Sequence, residues 1–90
     1  MTVTAARLPA ALMRQVASAV ETLFEDLDVV LWCRKRLKER CPFPERVIIA
    51  RTRDAHQEHA QRALEVIRQA DPDFSDELER TVVADVARDD

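Results

Sequence analysis

Apolar residues recur along this chain at helical spacing. Leu12, Val16, Val20, Leu23 and Leu27 step by three or four positions, with Phe24 beside them, which is the stripe of an amphipathic helix. The helix is predicted to start at Leu8-Pro9, because proline suits a first helical position, where its missing N–H has no partner to lose. The acidic run Glu25-Asp26-Leu27-Asp28 reads either as a break or as the first turn of a second helix capped by Asp26 or Asp28. That helix is expected to reach Arg40, with Leu27, Val30, Leu31, Cys33, Arg34 and Leu37 on its inner side. Cys41-Pro42-Phe43-Pro44 ends it, since a residue before proline avoids the α region.

The second half is also helical in pattern, without an internal repeat. Val47-Ile48-Ile49 is β-branched enough for a short strand, but with no second strand to pair with, Glu45–Ala50 is read as helical. Arg51-Thr52-Arg53-Asp54 reads as a kink or short loop, and Asp54 with Gln57 has capping-box spacing. The next helix is expected to run to Ala70 with Ala60, Ala63, Leu64 and Ile67 inward. Asp71-Pro72-Asp73 is a stop and restart. Ser75 is then the expected N-cap, followed by Asp76 and Glu77 in the first turn. Leu78, Val82 and Val86 form a last stripe.

Composition sharpens this. The chain has 90 residues and no glycine, where average usage would give about six. Without glycine there is no phosphate-cradling loop, no dinucleotide fingerprint and no nucleophile elbow, and tight primed hairpins lose their usual residue. The expected fold is all-α, a compact bundle of four to five short helices. Residues 1–90 read as one domain, with the N-terminal domain of a longer protein as the alternative. The longest strictly apolar run, Val29–Cys33, falls far short of the ~20 residues that span a membrane. The first seven residues lack the basic start and apolar core of a secretory signal. Two cysteines make no disulfide framework, so the expectation is a reduced, cytoplasmic protein.

Charge changes the picture most. The net charge is only −3, yet residues 34–53 carry eight bases and two acids, while residues 54–90 carry four bases and eleven acids. Three readings of the basic block stand side by side. It is a solvated helix end whose long stems cover apolar surface, a protein-docking patch, or a nucleic-acid footprint. The acidic C-terminal third would repel phosphate, which ranks nucleic acid below protein. Charge-complementary docking would bring Arg34, Lys35, Arg36, Lys38 and Arg40 of one copy or partner against an acidic face formed by Asp73, Asp76, Glu77 and Glu79.

Candidate chemistry is sparse. His56 and His59 share a helix face, and Cys33 and Cys41 could complete a Cys2His2 zinc set. The cysteines are separated by seven residues rather than the usual two to four, and His-Gln-Glu-His lacks the zinc-protease spacing. Asp71, Asp73, Asp76 and Glu77 lack the glycine and the final glutamate of an EF-hand loop. Cys33 lies in an apolar run and Cys41 at a helix C-terminus, where the dipole disfavours a thiolate. The expectation is therefore no catalytic residue, no metal and no cofactor. Trp32 is assigned to the core, with an interface anchor as the alternative if it proves exposed.

Two stretches carry a family resemblance. Phe24-Glu25-Asp26-Leu27 looks like the end of a first long helix. Ala55 through Leu64 to Ile67, followed by Ala70-Asp71-Pro72-Asp73 and Leu78, looks like a late helix, then Asp-Pro, then Leu. Together they are similar to bacterial effector-associated domains, small death-fold-like modules. The resemblance covers about half the chain, which lacks the glycines expected between helices. It implies a non-enzymatic adaptor in bacterial signalling or defence that docks with itself or a partner to couple an effector to a sensor. The alternative is a small nucleic-acid-binding regulator using residues 34–40.

Overall fold

The all-α expectation holds in a computed structural model that describes residues 9–88. Leu8 and everything before it lie outside the described residues. Helix α1 runs over Ala10–Lys38, α2 over Phe43–Ala70 and α3 over Pro72–Leu78; a π-helical stretch over Glu79–Val83 leads into α4, Ala84–Arg88.

The internal boundaries differ from the expected ones. The acidic run at 25–28 interrupts nothing, and α1 is continuous over 29 residues. No glycine or proline falls inside it. Asp26, whose side chain would otherwise compete with the local backbone, is bound from across the hairpin by two histidines. The expected kink at 51–54 is absent too. Thr52 Oγ1 donates to the Ile48 carbonyl at 2.9 Å, which satisfies the hydroxyl inside the helix.

Pro42 and Pro44 end one helix and start the next. Pro42 is the N-cap of α2 and Pro44 sits in its first turn, where the missing N–H costs nothing. Two arginines of the basic block staple this turn. Arg46 Nη1 donates to the Leu37 carbonyl at 3.0 Å, and Arg36 Nη2 lies 3.5 Å from Glu45 Oε2.

At the opposite end Asp71 caps α3, its Oδ1 accepting from the Phe74 N–H at 3.1 Å. Ser75, the expected cap, is instead fully buried, and its hydroxyl has no hydrogen-bond partner. Asp71→Ala is expected to cost about 1 kcal/mol. Ser75→Ala is expected to be neutral or to stabilise slightly, because it removes an unsatisfied buried polar atom. Urea melts of the two variants check this ordering.

The core lies on one side of the hairpin. Ala19, Leu23, Leu27, Ala60, Ala63, Leu64, Ile67 and Leu78 form it, with Val16, Val20, Phe74, Val82, Val83 and Val86 packed against it. The C-terminal elements thus strap one face of the α1–α2 pair. Arg34 fixes the strap by donating from Nη1 to the Val86 carbonyl. Arg68 does the same from α2, pairing with both Glu65 and Glu79. The molecule measures 52 × 23 × 13 Å. Among the described residues the C-terminal elements pack on this one face, while Trp32, Ile48 and Val66 stay exposed on the helix pair.

Candidate functional site

The open face has a polar centre. Asp26 lies on the inner stripe of α1, formed by Ala19, Leu23, Asp26, Val30 and Cys33 at alternating steps of four and three, all buried. It is 4% exposed. His56 and His59, one turn apart on α2, reach it from the edge of the open face. His56 Nδ1 lies 2.7 Å from one carboxylate oxygen, and His59 Nδ1 lies 2.6 Å from the other. The buried acid is therefore saturated by two imidazoles, as a polar group at that depth must be. The histidines are partly open to solvent, the side chain of His56 at 39% and that of His59 at 57%. With Ala55, Glu58 and Arg62 they line a shallow hollow. A neighbouring depression shares Arg62 and adds Leu12, Gln15, Glu65, Val66, Gln69 and Ala70.

The same face carries apolar residues without cover. Ile48, Thr52, Ala55, His59, Arg62 and Val66 follow heptad steps on α2, as do Gln15, Ser18, Thr22, Glu25, Val29, Trp32 and Arg36 on α1. Trp32 is 56% exposed and Ile48 64%. Trp32, expected in the core, lies outside it. It stands one position off the buried stripe, on the stripe that faces outward. Cys33 beside it is fully buried.

A carboxylate with two imidazoles is a donor set used for first-row divalent metals. Metal–nitrogen and metal–oxygen bonds of about 2.1 Å set neighbouring ligands of one ion about 3 Å apart, whereas the contacts of 2.6 and 2.7 Å are direct imidazole–carboxylate hydrogen bonds. Among the described residues of a single copy, however, no three His, Cys, Asp or Glu side chains are arranged to hold a metal ion by themselves. The residues fit such an ion in kind. In number and enclosure they leave room for further ligands.

The other expected site residues fall elsewhere. The Cys2His2 set does not form, since Asp26 takes both histidines while Cys41 stands at the hairpin turn with Sγ 3.9 Å from Glu45 Oε2. Burial pushes the Cys33 thiol up, with Arg53 opposing in part. A thiol reagent near pH 8 is accordingly expected to modify Cys41 in the native protein, and Cys33 only after denaturation; peptide mass mapping checks it. Of the basic block, Arg34, Arg36 and Lys38 have partners within the chain, and Lys35 and Arg40 are exposed. Of the acidic set, Glu79 is held by Arg68, and Asp73, Asp76 and Glu77 are exposed.

Residues 4–85 match the EncFtn-like family. The chain belongs to the EncFtn-like family. No curated protein and no solved structure matches it. What remains of the resemblance to effector-associated domains is a small helical domain. The death-fold-like assignment gives way to the EncFtn-like match, and the two helices of 29 and 28 residues are unlike a cluster of short ones. Asp26 is the residue that sequence reading missed as a site. The signal for it was positional. Asp26 and His56 stand equally far from Cys41, so a hairpin turning there sets them opposite one another.

Proposed function

We propose that this EncFtn-like chain is a metal-handling subunit that works as an assembly of copies. In this reading two open faces pack together, and Asp26, His56 and His59 take a divalent transition-metal ion between them. The observation that carries it is a nearly buried carboxylate with both oxygens aimed at two histidines, at the hairpin face that the C-terminal elements leave uncovered among the described residues.

Position supports the pairing. Asp26 lies near the middle of α1, and His56 and His59 lie near the middle of α2. A two-fold axis near them lets the full length of both hairpins meet, with Trp32, Ile48 and Val66 as apolar contacts around the polar centre. Such a contact is isologous, so each copy supplies the same residues. A second trio would also supply the ligands that one copy lacks. Bundle cores hold metal sites of this kind, built from side chains on facing helices.

The family supports iron as the ion. EncFtn-like domains are related to ferritin-like, encapsulin-associated proteins, some of which are ferroxidases. The expectation of a chain without metal is therefore not carried forward. Homotypic docking is kept from the sequence reading, but its main surface moves from the basic helix end to the open face.

The test is anaerobic calorimetric titration of the chelator-stripped chain with iron(II), followed by mass in solution. Saturable binding with doubling of the mass is the expected result. Absence of heat together with an unchanged mass contradicts the proposal.

A further inference from the structure

The buried carboxylate decides which nitrogen each histidine has left. A carboxylate only accepts hydrogen bonds. Asp26 takes one ring on each oxygen, with His56 Nδ1 at 2.7 Å and His59 Nδ1 at 2.6 Å. Both neutral rings then carry their proton on Nδ1, and Nε2, across the ring, keeps the lone pair that binds a metal. Asp26 itself is 4% exposed, and both its oxygens are occupied. The two rings stand partly open to the hollow they share with Ala55, Glu58 and Arg62. A carboxylate behind a histidine that offers its other nitrogen is the usual outer support of a metal site.

We infer that the ligands are the histidines alone: four Nε2 nitrogens, two from each copy of a pair, hold one divalent ion, and Asp26 is a positioning residue behind them. This rests on the metal-handling reading and narrows it. Number supports it, because the two nitrogens of one copy are too few and a pair supplies the four of a closed tetrahedral site. Charge supports it too. The two buried carboxylates of a pair balance one divalent ion, and a second ion would stand uncompensated beside the buried stripes of α1. Bundle sites that hold two ions draw on four glutamates and two histidines, with Glu-x-x-His on two of the helices. Helix α2 carries His56-Gln57-Glu58-His59 instead, and Glu58 is turned to Arg62 on the surface. The class of ion is the borderline divalent one that imidazole suits, for which zinc(II) is the probe.

The test is native mass spectrometry and zinc-edge X-ray absorption on the chelator-stripped chain loaded with zinc(II). One zinc per two chains is expected, with a first shell of nitrogens at about 2.0–2.1 Å and the outer scattering of imidazole rings. Asp26→Asn should bind zinc about 100-fold more weakly yet keep the same all-imidazole shell, because the group it changes lies behind the rings. Circular dichroism melts check that this variant is folded; if it is not, the wild-type shell and stoichiometry decide alone. Two zinc ions per pair, a carboxylate oxygen in the wild-type shell, or a shell that changes in folded Asp26→Asn overturns the inference and leaves the metal-handling reading standing. A chain that takes up neither zinc(II) nor iron(II) removes both together.

Discussion

Asp26→Asn, His56→Ala and His59→Ala are each expected to weaken iron(II) binding by at least about 100-fold, since even groups one shell beyond a metal commonly account for about 10- to 100-fold. The three changes act on one carboxylate and its two ring partners, so their effects should not add. A double His56→Ala/His59→Ala chain should lose little more than either single variant. Glu58→Gln is the control. Glu58 borders the same hollow but pairs with Arg62 on the surface, and its loss should change affinity by no more than about twofold. Asp26→Ala also has a cost in the metal-free chain. It removes the acceptor of two histidine nitrogens whose side chains are partly open to solvent and can turn to water, which is expected to destabilise by about 1 kcal/mol. Titration and urea melts of the same variants separate these two consequences. Equal metal affinity in Asp26→Asn and wild type would remove the cluster from consideration as a metal site.

Leu23→Ala and Ile67→Ala should each cost about 2–5 kcal/mol. Both side chains are fully buried, one on α1 and one on α2, in the core beneath the C-terminal strap. Small domains are stable by only about 5–15 kcal/mol, so either change removes a large share of the total. Met13→Ala is the comparison. Met13 is 51% exposed, and its truncation should stay within about 0.5 kcal/mol. Urea midpoints with an unchanged slope measure these differences. If Met13 and Leu23 cost the same, the core has been misplaced. Double variants add a further check. Leu23 and Ile67 belong to one cluster, so their combined loss should depart from the sum of the singles.

The inward stripe was legible in the sequence because burial imposes a period on it. Ala60, Ala63, Leu64 and Ile67 were read inward and are buried. So was the turn at Pro42–Pro44, where two prolines allow little else. The internal continuity of α1 was not legible. An acidic cluster in mid-helix looks like a cap until its long-range partners are known, and Asp26 gets its partners from thirty and thirty-three residues away. Ser75 was misread for a related reason. Local preference for a cap could not reveal that Asp71, four residues earlier, already holds the role. Trp32 shows the limit of hydrophobicity as a guide. Its neighbours Val30 and Cys33 are inside, but the helix turns by about 100° per residue, and that carries the indole outward. A chain that completes itself by association leaves part of its apolar set on the surface, and composition alone does not distinguish that part from the core.

The central claim is that the open faces of two copies enclose an ion at Asp26, His56 and His59. Native mass spectrometry of the chelator-stripped chain, before and after anaerobic addition of iron(II), tests it most directly. The account predicts a metal-loaded species with an even number of chains whose metal is lost in His59→Ala. A metal-free spectrum at every iron concentration, or metal retained by single chains and by His59→Ala alike, would contradict it.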